Sequence, residues 1–299
     1  MSKASMILLS VAVLLIAGLT YVWRTAGPGT LDLLDRVVNH ASYRHDADLA
    51  FGTHGQKLDV WRTQETADTA RRPVLIFING GGWVKGTRGE YGWAARGYAD
   101  NGFVVVLPDY RKVPDVRFPA FLEDGAEAVR WTRDNIARFG GDPNRVAIAG
   151  HSAGGHTVAM LALDPQWLAR AGAQGAVKAV VGLSGPYDFY PFTGRAVAAM
   201  GKWPNPQETQ PLAYARKDVP PMMLVTGTDD TTVRPKNARN LAARLKAVGA
   251  VVEEKEYAGQ GHEDIAMALS QPFRGKNTVL ADSVAFLNAH LAKTAAPAQ

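Results

Sequence analysis

The sequence predicts an α/β fold, built on a mostly parallel sheet with helices on both faces. Three observations lead there. Short apolar runs bounded by Pro or Gly recur along the chain, and a run that is apolar at every position suits a strand buried on both faces. Stretches with helical apolar spacing separate these runs. Glycine-rich turns follow two of the runs. With 299 residues, 46% of them hydrophobic, the chain is long enough to bury one large core.

Residues 6–23 carry no charge and follow Lys3. An uncharged apolar run of that length is a signal peptide or a membrane anchor. Tyr21 and Trp23 suit a membrane interface, Lys3 suits the cytoplasmic side, and no small-x-small cleavage site follows Leu19. Either reading exports the remainder. The expected location is periplasmic, membrane-anchored or secreted, with membrane contact through residues 6–23 if they are not removed. Residues 1–26 are therefore assigned to the signal peptide or anchor. Residues 27–42 read as a linker with a short amphipathic helix, on which Leu31, Leu34 and Val38 share a face. The folded domain is expected over 43–292 and a disordered tail over 293–299.

Within the domain, strands are predicted at residues 58–61, 73–78, 103–107, 145–149, 179–183 and 222–225. Residues 251–257 are more polar, as suits a strand near a sheet edge. A helix is predicted over 121–139, where Phe121, Ala128, Trp131 and Ile136 recur near helical spacing and Gly140-Gly141 stops it. A second over 235–248 carries Ala238, Leu241, Leu245 and Val248 on one face, opened by Pro235 and closed by Gly249. Others are predicted over 155–163 and 282–291. Residues 184–218 are irregular and rich in Gly, Pro and aromatics, and stand where they can cover the strand ends as a short cap.

Composition narrows the chemistry. The net charge is +5, but no run of Lys and Arg interleaved with aromatics appears, so no nucleic-acid partner is expected. The chain has no cysteine, which excludes disulfides, thiolate nucleophiles and Cys-ligated zinc. His40, His45 and His54 lack metal-ligand spacing, and no metal is expected.

Gly150-His151-Ser152-Ala153-Gly154 follows the strand at 145–149 and precedes a helix. This Gly-x-Ser-x-Gly pattern in a strand-turn-helix setting is that of a nucleophilic serine. The reason is steric: a serine on so sharp a turn needs small neighbours two before and two after, so that strand and helix can approach. A serine hydroxyl needs a base, and the base needs an orienting acid. Beyond the helix after Ser152 only two histidines remain, His262 and His290. His290 falls in the last helix. His262 sits in a Gly-rich loop just after the 251–257 strand and is the candidate base. The acid should follow the 222–225 strand, where Asp229 and Asp230 are adjacent. Adjacent loop residues point differently, so one of them reaches His262; Asp230 is preferred, with Asp229 as the alternative. Asn79-Gly80-Gly81-Gly82-Trp83 follows the 73–78 strand, and its glycines free the backbone to turn N–H groups toward a substrate. Gly81, Gly82 and Ala153 are the candidate oxyanion donors. No Gly-Lys-Ser/Thr follows, which argues against phosphate binding. Trp83, Tyr187, Phe189, Tyr190 and Phe192 either line a substrate pocket or pack beneath the cap. His151 and His156 are expected to hydrogen-bond locally.

These motifs, with Asp109-Tyr110-Arg111 and the Phe139 to Arg145 segment, resemble the esterase/lipase branch of the α/β-hydrolases. That branch includes carboxylesterases, feruloyl-esterase-like proteins and prenylcysteine methylesterases, and arylformamidases are similar. The resemblance covers residues 43–292. It implies the α/β-hydrolase fold with a short cap and hydrolysis of a small-molecule ester through an acyl-enzyme with no cofactor. An amidase or arylformamidase using the same residues is the alternative; a non-enzymatic binding module would be expected to have lost one of them. The resemblance supports Ser152, Asp230 and His262 as a triad, since the acid of this branch often stands three before a Val, as Asp230 does before Val233. It also supports Gly81, Gly82 and Ala153 as the oxyanion hole. One departure stands out: the branch usually has His before the three glycines, and this chain has Asn79, which can donate and accept to brace the loop.

Overall fold

The computed structural model describes residues 27–64 and 71–292. In chain order its strands are β1 (Tyr43–Phe51), β2 (Gln56–Thr63), β3 (Arg72–Ile78), β4 (Val104–Pro108), β5 (Gly141–His151), β6 (Val177–Leu183), β7 (Met222–Gly227) and β8 (Val252–Tyr257). The helices are α1 (Pro28–Val38), α2 (Gly92–Ala99), α3 (Ala120–Asn135), α4 (Ala153–Leu163), α5 (Pro165–Arg170), α6 (Arg195–Met200), α7 (Lys236–Ala247), α8 (His262–Met267) and α9 (Val279–Leu291). The strands form one sheet in the order β1-β2-β4-β3-β5-β6-β7-β8. β1 and β2 run antiparallel to their neighbours, and all pairs from β4 to β8 are parallel. This is the α/β-hydrolase fold.

Alternation within the apolar runs feeds two cores, one on each side of the sheet. Val74, Ile76 and Ile78 of β3 join Val146 and Ile148 of β5 beneath α3, α4 and α7. Leu75 and Phe77 join Ala147 and Ala149 on the other face, beneath α2 and α9. Both sets are buried, so the runs read as apolar throughout. Ile78 pairs with Gly150, and Gly150 with Gly182, so β3, β5 and β6 end at one level. The loops that follow them therefore start side by side, the arrangement in which parallel α/β sheets bind ligands.

Several elements differ from the sequence reading, among them the short helices α5, α6 and α8, which are too short to show a helical apolar period. β1 is an additional antiparallel edge strand; it is half-exposed, and a register shift between Asp46 and Leu49 breaks its alternation, so no period-2 signal exists. α2 is also additional. The 27–42 segment is a docked helix followed by a short connection, and α1 is turned the other way from its apolar pattern. Leu31 is buried, but Leu34 and Val38 are exposed. What α1 presents inward is Asp32 and Asp35, whose carboxylates accept from Arg96 at 2.7 and 2.5 Å. No described helix is long and apolar enough to cross a membrane. Residues 6–23 and the tail at 293–299 lie outside the described residues.

Candidate active site

Ser152 stands between β5 and α4 with φ 56° and ψ −117°. Positive φ is costly for a residue with a Cβ and persists only where the surroundings enforce it. Here the sheet enforces it: the Ser152 N–H donates to the Leu183 carbonyl at 2.8 Å. The flanking glycines are sterically required. A Cβ on Gly150 would lie 2.4 Å from the Gly154 carbonyl oxygen, and one on Gly154 only 2.0 Å from that of Ile78.

His262 opens α8 directly after Gly261, delivered by the turn that leaves β8. Its Nε2 lies 2.9 Å from the Ser152 Oγ, and its Nδ1 lies 2.8 Å from Asp230 Oδ2. An ionised carboxylate only accepts, so Nδ1 carries the proton and Nε2 is left to accept from the serine hydroxyl. The other oxygen of Asp230 accepts from the Thr232 and Val233 N–H groups at 3.0 and 2.7 Å. Those two bonds fix the carboxylate. Asp229 is exposed and accepts from the Thr228 hydroxyl, away from His262. Of the two neighbours, Asp230 is the one joined to the histidine.

The loop after β3 folds back on itself. The Val84 and Lys85 N–H groups donate to the Gly81 carbonyl. Gly81 and Gly82 have φ of 125° and 65°, and a Cβ on Gly81 would lie 2.0 Å from the Lys85 carbonyl oxygen. Asn79 braces the turn: its Nδ2 donates to the Gly80 carbonyl at 2.8 Å. The Tyr91 hydroxyl meets the Gly80 backbone N–H, and burial pushes its pKa upward, which keeps it a neutral phenol. Gly81, Gly82 and Ala153 line one cleft together with Ser152 and His262. Its volume is about 850 Å³. Trp83 and Phe189, stacked at 6.1 Å, and Tyr190 form its aromatic wall. Tyr187 is wholly buried outside it, and Phe192 packs behind Phe189. The short cap, including α6, supplies one side.

Two participants, Tyr91 and Arg195, were not singled out by sequence. His151 and His156, expected to hydrogen-bond locally, instead bond to carbonyls far along the chain, because their buried rings face His262 and the cap. His151 donates from Nε2 to the His262 carbonyl at 3.1 Å and lies ring to ring with it at 4.8 Å. Burial pushes its pKa down to about 3, so it adds no positive charge beside His262. Tyr91 comes from a short 3-10 turn before α2, and Arg195 from the cap lies over Gly82. Both arrive from segments with no motif, so spacing carries no signal for them. His156 donates to the Thr209 carbonyl, tying α4 to the cap. No group of His, Asp and Glu among the described residues could hold a metal ion.

A family model described as BD-FAE matches residues 58–245, more than half of the chain. The chain belongs to the BD-FAE family. This BD-FAE member is 35% identical over 247 residues to the esterase LipC of Mycobacterium tuberculosis, covering 75% of this chain. It is 28% identical to the isoprenylcysteine alpha-carbonyl methylesterase ICME of Arabidopsis thaliana, covering 71% of this chain. The matched regions span 61% of LipC and 55% of ICME. Among solved structures, a Pyrobaculum calidifontis esterase superposes with a TM-score of 0.72 at 24% identity, covering 88% of this chain and 90% of that one. The chain thus stands in the esterase/lipase branch of the α/β-hydrolases.

Proposed function

We propose that the chain is a serine hydrolase that cleaves a carboxylic ester through an acyl-enzyme. The observation that carries this reading is the unbroken line from Ser152 Oγ through His262 to Asp230, at 2.9 and 2.8 Å, opening into the cleft. His262 takes the proton of Ser152 as Oγ attacks the ester carbonyl. The N–H groups of Gly81, Gly82 and Ala153 receive the oxyanion, and the N-terminus of α4 adds its dipole. Asp230 holds the imidazole tautomer and stabilises the charged ring. His262 then returns the proton to the leaving alcohol, and water repeats the sequence on the acyl-enzyme. The names of LipC and ICME, both esterases, support the ester over the amide as substrate. The aromatic wall of Trp83, Phe189 and Tyr190 suits an apolar acyl or alcohol group.

The test is a chain-length series of p-nitrophenyl esters beside the matching anilides. Turnover of esters above anilides, lost in Ser152→Ala, is the expected result; wild-type turnover in that variant would overturn the assignment. Labelling of Ser152 by a fluorophosphonate provides an independent check. The same reading has the domain exported and held at a membrane by residues 6–23. Extraction of the full chain from membranes by alkaline carbonate would count against that anchor.

A further inference from the structure

Among the described residues seven large apolar side chains are exposed, and they are not scattered. Four of them, Leu33, Leu34, Val37 and Val38, lie on the 11-residue helix α1. They form two i, i+4 pairs on one face. Tyr190 and Val197 belong to the cap segment, where Tyr190 and Ala196 line the cleft. Only Val251 stands apart. α1 also begins at the cleft, since Gly27 and Pro28 line it. An exposed apolar set gathered around a cleft mouth marks an interaction surface.

The charged groups around this surface are mostly positive. Both carboxylates of α1 accept from the buried Arg96, and Asp32 also pairs at 2.7 Å with Arg36, the charged side chain on the outside of α1, so no free carboxylate faces outward from this helix. Lys85, Arg195, Arg234 and Lys236 line the cleft, exposed and with no ion-pair partner among the described residues, against one exposed carboxylate, Glu263. Apolar side chains beside unpaired cations are the pattern of a segment lying in the headgroup region of an anionic membrane. The sequence adds a second reason. With residues 6–23 acting as the membrane anchor read from the sequence, the four residues between that run and Pro28 are too short a connection to carry α1 far from the bilayer.

We infer that α1 and the cap rim form a docking surface for an anionic lipid bilayer, and that the ester reaching Ser152 is drawn from that bilayer. The substrate half of this statement rests on the ester-hydrolase reading; the docking half does not. Leu33, Leu34, Val37 and Val38 sink among the lipid headgroups. The cleft mouth then faces the lipid, and its cations meet phosphate groups. The substrate class is an ester with an apolar chain and a negatively charged or membrane-anchored remainder.

The chain has no cysteine, so a single introduced thiol can be labelled without background. The full chain would carry Val37→Cys, or Lys178→Cys at the far end of β6, each with an environment-sensitive fluorophore. It would be studied on phosphatidylcholine vesicles with and without phosphatidylglycerol. The expected result is that the probe at Val37 is quenched by a lipid-borne nitroxide and shielded from aqueous iodide on the anionic vesicles, while the probe at Lys178 shows the reverse. Iodide access to Val37 on those vesicles overturns the docking. So does shielding before any vesicle is added, which would mean that another part of this chain or a second copy covers α1.

A second measurement reads function. Leu33→Glu with Val37→Glu should lower hydrolysis of an ester embedded in anionic vesicles by roughly tenfold, while p-nitrophenyl acetate in solution is turned over unchanged. Equal rates on the vesicle ester overturn the lipid-borne substrate. No turnover of either ester by the unaltered chain would instead overturn the hydrolase reading, leaving the Val37 probe as the judge of docking.

Discussion

A Cβ at Gly154 would sit 2.0 Å from the Ile78 carbonyl oxygen, a contact with rigid backbone that no side-chain movement relieves. Gly154→Ala is therefore expected to push α4 off β3, costing about 3 kcal/mol in urea unfolding and displacing Ser152. A stability within about 0.5 kcal/mol of the wild type would show that the turn relaxes at little cost. At the acid, the two neighbours separate cleanly. Asp230→Asn leaves the geometry but no longer fixes the proton on His262 Nδ1, and kcat should fall by roughly 10⁴-fold. Asp229→Asn, exposed and bonded to Thr228, should leave kcat unchanged. Equal losses in the two would contradict the assignment of Asp230. The Ser152 motif and the single loop histidine were readable because each is fixed by local sterics or by elimination. The choice of Asp230 over Asp229 was only weakly readable, because it depends on which carboxylate the turn aims inward.

At the scale of elements, α1 makes the same point more sharply. Its existence was legible, but its orientation was not. Arg96, more than 60 residues later in the chain, draws Asp32 and Asp35 inward and leaves the apolar side chains outside. Burying three charges is tolerable only while they pair. Arg96→Ala should thus cost about 3 kcal/mol or release α1. Limited trypsin digestion should then cut faster at Arg36, which is exposed. An unchanged digestion pattern together with unchanged stability would mean that α1 is held by Leu31 alone. β1 escaped notice for a related reason: a bulged edge strand has no alternation for the sequence to display.

For the whole molecule, acid is the expected weakness. Burial holds His151 and His156 neutral, pushing their pKa values from 6.5 down to about 3 and about 4. The unfolded chain takes up these protons below pH 6.5 and the folded one does not. Stability is therefore full above that pH and is lost as pH falls toward 3 to 4. The slope should reach about 1.4 kcal/mol per pH unit for each ring. Urea unfolding at pH 7, 6 and 5 measures it, and His156→Asn, which can still donate to Thr209, should remove one ring's share. A slope that His156→Asn leaves intact would assign the acid sensitivity to other groups.

The fold class and the candidate site residues were written in the sequence because their causes are local. Strands buried on both faces must be apolar throughout, and a serine on a strained turn must have glycines around it. Asn79 is the instructive departure: it braces the glycine loop through Gly80, as its chemistry allowed. Only the tertiary structure decided the rest. It set the sheet order that brings the ends of β3, β5, β7 and β8 together, and turned α1 so that its acids face inward. It also supplied Tyr91 and Arg195 to the cleft. Those outcomes depend on partners distant in sequence, whose mutual approach no local pattern encodes.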